Sequence, residues 1–148
     1  MRFILVDRIT ELAASHARGV KCVSMSDDVL ADHFAGWPVF PGALLVEAMA
    51  QLAGAMLDAE LDGALAMLTG IDRARFHKRV VPGDQLLLEA TVTSKIAAGA
   101  RVDVSATVGA DKVAEASLQF AFAHDLPAAF VAERAKLRAM LVAGQWFG

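Results

Sequence analysis

His33-FAGWPVFP-Gly42 runs without a break into Ala43-LLVEAMAQLAGAM-Leu57. The second segment is rich in Ala, Leu and Met, Val46 is its one β-branched residue, and its length suits a helix rather than a strand. Pro41-Gly42 marks the helix start, because proline is tolerated where the first amide hydrogens have no intrahelical partner. The pattern predicts a helix from Gly42 to about Leu61. Apolar residues surround nearly the whole of it instead of forming one stripe, so it is expected to be buried on most sides. Within Leu44–Leu57 the only strongly polar side chains are Glu47 and Gln51, one turn apart on one face.

Beyond this helix the period changes. Gln85–Ile96, Ala100–Gly109 and Lys112–His124 are β-branched or alternating in places, with turn signals at Ala98-Gly99 and Gly109–Lys112, which predicts three strands of an antiparallel meander. Phe3–Val6, Gly19–Met25 and Leu65–Phe76 are expected to add strands. Residues 128–143, after Pro127, have helical spacing. The reading is one α+β domain over residues 1–148. An antiparallel sheet wraps a long central helix, with an additional C-terminal helical extension at about 126–144.

A chain of 148 residues can bury a sizeable core without disulfide or metal staples. Apolar residues make up 56% and charged residues 21%, drier than an average soluble domain, so part of the surplus is expected to cover a subunit interface. Cys22 is the single cysteine. It excludes an internal disulfide, disfavours a structural zinc site and suits a reducing, cytoplasmic setting. Asp7 and Arg8 interrupt the first apolar run too soon for a signal-peptide core. The most apolar window, Pro38–Leu57, contains Glu47 and Gln51, which argues against a membrane span. A net charge of −3 gives no general attraction for nucleic acid. One run departs from that balance: Arg73, Arg75, Lys78 and Arg79 fall within seven residues, either as a solvated strand end or as a docking surface for an anionic partner.

A carboxylate on so apolar a helix loses hydration, so Glu47 needs either an edge that reaches solvent or a chemical reason to be there. His33 stands fourteen residues upstream on a chain constrained by Gly36, Pro38, Pro41 and Gly42. Imidazole titrates near pH 6.5 and can take and return a proton at neutral pH. The same stretch delivers the first amides of the helix, which carry partial positive charge and can hold a developing oxyanion. Base, acid and oxyanion donor together are what removing a proton beside a carbonyl and expelling a hydroxyl require. His16, His77 and His124 read as ordinary surface or interior residues.

HFAGWPVFPG with the ALLVEAMAQ that follows resembles the H-F-x-G-x-P-x-x-P-G…E-A-M-A-Q signature of β-hydroxyacyl-acyl-carrier-protein dehydratases of the FabZ/FabA type. Gly70-IDRARFHKRVVPGDQLLL-Glu89 is similar to that family's downstream block, and Leu5-VDRITE-Leu12 to its opening strand. The matches run from about residue 3 to residue 123. The resemblance implies a hot-dog fold and a homodimer, alone or as a trimer of dimers, with two sites at the interface. Each site would take His33 from one subunit to handle the α-proton and Glu47 from the other to help the 3-hydroxyl leave. It further implies that the Gly42 amide donates to the thioester carbonyl, that the Val39 carbonyl orients the imidazole, and that Gln51 steadies Glu47.

The implied reaction is reversible dehydration of a (3R)-3-hydroxyacyl-acyl-carrier-protein to the trans-2-enoyl form, in fatty acid or related polyene or polyketide biosynthesis. Its substrate rides on the carrier's phosphopantetheine, with no other cofactor and no metal. The acidic carrier makes Arg73, Arg75, Lys78 and Arg79 a candidate docking surface. Ala35, where many relatives have proline, and the longer tail after Asp125 depart from the pattern. Three other readings stay open: a hot-dog thioesterase, a MaoC-like hydratase using Asp28 five residues before His33, and a non-catalytic partner subunit.

Overall fold

The computed structural model describes residues 3–145. Six strands, β1 (Arg8–Leu12), β2 (His16–Cys22), β3 (Leu65–Phe76), β4 (Gln85–Ile96), β5 (Gly99–Val108) and β6 (Asp111–Ala123), form one sheet in the order β1-β2-β4-β5-β6-β3. Every neighbouring pair is antiparallel. The central helix α1 (Gly42–Asp58) packs against β2 to β6, and a second helix α2 (Ala128–Ala143) packs against β1.

The sheet is one-sided, as strand periodicity requires when only one face is covered. Along β5, Ala100, Val102, Val104 and Ala106 are buried while Arg101 and Asp103 point outward. Met49, Leu52, Met56 and Leu57 of α1 are fully buried, as are Leu86, Leu88, Val102 and Leu118 of the sheet. Each such side chain contributes about 2 kcal/mol of transfer free energy. Gly19 lets the helix approach closely: a Cβ there would lie 3.0 Å from the Arg8 carbonyl oxygen and 3.2 Å from a Leu52 methyl. The outer face carries exposed ion pairs such as Arg18–Glu89 at 2.8 Å and Lys112–Glu115 at 3.0 Å, each worth little by itself.

The central helix, the β4–β5–β6 meander, the Leu65–Phe76 strand and the C-terminal helix are all present, with ends within a few residues of expectation. Phe3–Val6 is not a strand. Its backbone bonds go to a side chain: the Leu5 amide donates to Gln51 Oε1 at 2.8 Å, and the Phe3 carbonyl accepts from Gln51 Nε2 at 3.2 Å. Sheet pairing begins only at the Asp7 amide, which donates to the Val20 carbonyl at 2.8 Å. The strand expected over Gly19–Met25 is displaced to His16–Cys22, because Ser24–Asp27 folds into a turn in which the Asp27 carboxylate takes the Ser24 amide at 3.0 Å. A short 3-10 helix follows (Asp28–Ala31) and leads into the His33 loop.

Candidate functional site

The His33 loop is closed by its own main chain. The Val39 amide donates to the His33 carbonyl at 2.8 Å, and Phe34 and Trp37 exchange both backbone bonds, at 3.2 and 2.8 Å. Gly36 supplies the left-handed residue of that turn, φ +74°. The Phe40 amide ties the loop to Val80 at 2.8 Å. Inside this frame His33 Nδ1 lies 2.7 Å from the Val39 carbonyl oxygen. A carbonyl only accepts, so Nδ1 carries the hydrogen and Nε2 keeps its lone pair. The ring is half-buried and stacks on Phe34, centroids 4.3 Å apart.

The loop ends at the first turn of α1. The Leu44 and Leu45 amides return to the Pro41 carbonyl, at 3.0 and 3.1 Å, so the Gly42 and Ala43 amides precede the first intrahelical bond and carry the helix's partial positive charge. A Cβ on Gly42 would lie 3.0 Å from the Phe76 ring, so this helix start sits where only glycine leaves Phe76 in place. Val39, Gly42, Leu45, Phe76, Lys78 and Arg79 border a cavity of about 360 Å³ there.

Glu47 lies one and a half turns along α1, half-buried, and accepts a hydrogen bond from Gln51 Nε2 at 3.0 Å. The Gln51 amide therefore holds three partners at once: Glu47, Phe3 and Leu5. Glu47 borders two cavities, about 230 and 160 Å³, and His33 lines neither.

The basic run divides. The β3–β6 register shifts between Asp72 and Arg75, with Arg73 at φ +51°. Arg73 and Arg75 lie on the outer sheet face, among Glu89, Asp103 and Glu115. Lys78 and Arg79 lie beside the His33 loop, where Arg79 sits 4.7 Å over the Trp37 ring and Lys78 pairs with Asp111 at 2.7 Å. Among the ordinary histidines, His77 pairs with Glu115 at 3.4 Å, and His16 meets Thr91 at 3.2 Å.

Residues 1–117 match the FabA-like domain family. The chain belongs to that family. It is 44% identical over 128 residues to the 3-hydroxyacyl-[acyl-carrier-protein] dehydratase FabZ of Listeria monocytogenes serotype 4b (strain CLIP80459), covering 84% of this chain and 88% of that one. The protein of the same name from Cereibacter sphaeroides (strain ATCC 17025) is 41% identical over 132 residues, covering 84% and 83%. Among solved structures, a hot-dog-like protein from Thermanaerovibrio acidaminovorans superposes with a TM-score of 0.65 at 23% identity, over 84% of this chain and 90% of that one. Smu.793 from Streptococcus mutans UA159 gives 0.65 at 19%, over 79% and 88%. The fold is the hot-dog fold.

Sequence reasoning did not single out Asp58, the last residue of α1. Its carboxylate is 2% exposed, accepts the Ala66 amide at 2.7 Å and pairs with Arg134 of α2 at 3.2 Å. An acidic residue closing a mostly apolar helix was the available signal. Phe76 against Gly42 and Trp37 under Arg79 were also missed; both depend on contacts between distant segments. Among the described residues no helix is long and apolar enough to cross a membrane.

Proposed function

We propose that two copies of this chain together remove water reversibly from a (3R)-3-hydroxyacyl thioester carried by acyl carrier protein, giving the trans-2-enoyl thioester. The observation that carries the reading is the 2.7 Å contact between His33 Nδ1 and the Val39 carbonyl oxygen, which leaves Nε2 as the proton acceptor. Nε2 takes the C2 proton, and the electrons of that C–H bond form the C2=C3 double bond as the C3–O bond breaks. The leaving hydroxide takes a proton from the Glu47 carboxyl and departs as water. Proton transfer from imidazolium to carboxylate through solvent restores the starting state, so no redox cofactor is needed for balance. The Gly42 amide, at the positive end of α1, is placed to stabilise charge that builds on the thioester oxygen.

The second copy is inferred from two features. The two cavities that Glu47 borders are not lined by His33 of the same chain, so a partner group from elsewhere is called for. β3 is an edge strand on which Met67, Leu68, Ile71 and Phe76 are exposed, an unpaired apolar edge of the kind proteins cover. Pairing β3 with its symmetry copy would cover this edge and bring each His33 loop toward the other chain's Glu47. Lys78 and Arg79, beside the loop, are the cations best placed to meet an acidic carrier.

Incubation with a 3-hydroxyacyl thioester, following enoyl absorbance and free thiol together, tests the reaction. Enoyl product without thiol is expected. Thiol would assign hydrolysis, and neither product would leave a subunit without chemistry.

A further inference from the structure

We propose that α2 closes the far end of the acyl groove, and that Phe130 and Arg134 set the longest acyl chain the site accepts; this rests on the dehydratase reading above. Glu47, Ala50, Gln51 and Gly54 recur at the spacing of one helix face and border the 230 Å³ groove. The opposite wall is β3, from Leu65 to Leu68, with Phe120 behind it. From Glu47 to Gly54 the helix rises about 10 Å. Ala50 and Gly54 are small, so they leave width for an alkyl chain that starts where Glu47 meets the 3-hydroxyl.

At the Gly54 end stand Phe130 and Arg134. A Cβ on Gly54 would lie 3.9 Å from Arg134 Nη2, which marks how near the guanidinium comes to the groove floor. That guanidinium is fixed through Asp58, whose other bond is to the Ala66 amide of β3. Arg134 is thereby tied to both walls at once. A charged group held there opposes the entry of a methyl terminus, while the Phe130 ring fills apolar space beside it. The family match ends at residue 117 and α2 begins at Ala128, so this end wall is built from chain outside the matched domain.

The test uses the full chain carrying Phe130→Ala or Gly54→Leu, with 3-hydroxybutyryl and 3-hydroxyhexadecanoyl pantetheine thioesters as substrates. Phe130 is half-exposed, and leucine is a better helix former than glycine, so both variants are expected to fold, which thermal melting checks. The long-to-short ratio of kcat/KM should rise about tenfold in Phe130→Ala and fall by a similar factor in Gly54→Leu. An unchanged ratio in both folded variants would overturn the proposal. Calorimetry with unreactive S-butyl and S-hexadecyl pantetheine separates it from the reading beneath it. A length preference that shifts with Phe130→Ala in a protein forming no enoyl product would retain the groove and remove the dehydration. Binding that does not shift with chain length removes the groove assignment whatever the turnover.

Discussion

The two ends of α1 are held in different ways. At its first turn the grip is main chain: Pro41 takes two amides, Val39 closes on His33, and Phe40 is tied to Val80. At its last turn the grip is one buried carboxylate, Asp58, reaching to β3 and to a side chain 76 residues away. Main-chain anchoring fixes a proton-transferring group with little freedom to drift, which suits the end where chemistry is placed. Side-chain anchoring lets the far end change with the sequence of an appended helix while leaving the near end alone.

The strongest test of this contrast lies at the near end. His33→Ala and Glu47→Gln should each lower enoyl formation by about 10³-fold or more, with melting temperature little changed, since each removes a reacting group without touching the loop's main-chain bonds. A variant that loses activity only in proportion to lost folded protein would break the contrast. Next comes the far end, where Asp58→Ala strands a buried Ala66 amide and an Arg134 partner and should cost about 3 kcal/mol in urea denaturation. Turnover of a short substrate by the folded fraction should survive.

Smaller effects sharpen the account of the surface. Lys78→Glu with Arg79→Glu should raise KM for carrier-bound substrate about tenfold more than for the pantetheine thioester, and the gap should close at high salt. Arg73→Glu with Arg75→Glu, on the outer sheet face, should not reproduce it. The smallest effect concerns Glu115, where hydrogen bonds from Lys112 and then His77 hold the carboxyl below the usual carboxylate range. A depressed folded value gives stability that is present above the unfolded value and is lost as pH falls through the folded one. Glu115→Gln should therefore flatten the acid limb of stability slightly, below about pH 4.3, in denaturation midpoints taken across that range.

What the sequence disclosed follows the same division. The loop, the first half of the helix and the positions of His33, Val39, Gly42, Glu47 and Gln51 lie within nineteen consecutive residues, where proline, glycine and helical spacing determine geometry locally. The hydrogen bonds from His33 Nδ1 to the Val39 carbonyl and from Gln51 to Glu47 are both present. Phe3–Val6 misled because a short apolar run suggests an extended backbone and not its partner, here a glutamine amide 46 residues away from Leu5. The basic run read as one surface because the spacing hides the shift at Arg73 that separates its halves. Asp58 had its place at the end of the helix as a signal, but its pairing with Arg134, 76 residues on, has no local signature.

The carboxamide of Gln51 can lie only one way round. Its oxygen must face the Leu5 amide, and its nitrogen must face both the Phe3 carbonyl and Glu47; a half-turn of the group would set every one of these contacts like against like. Phe3 and Leu5 therefore act as a keyway for the reactive carboxyl, so that a single-atom exchange such as Gln51→Glu, equal in shape, would unlatch this segment and set one carboxyl group against another.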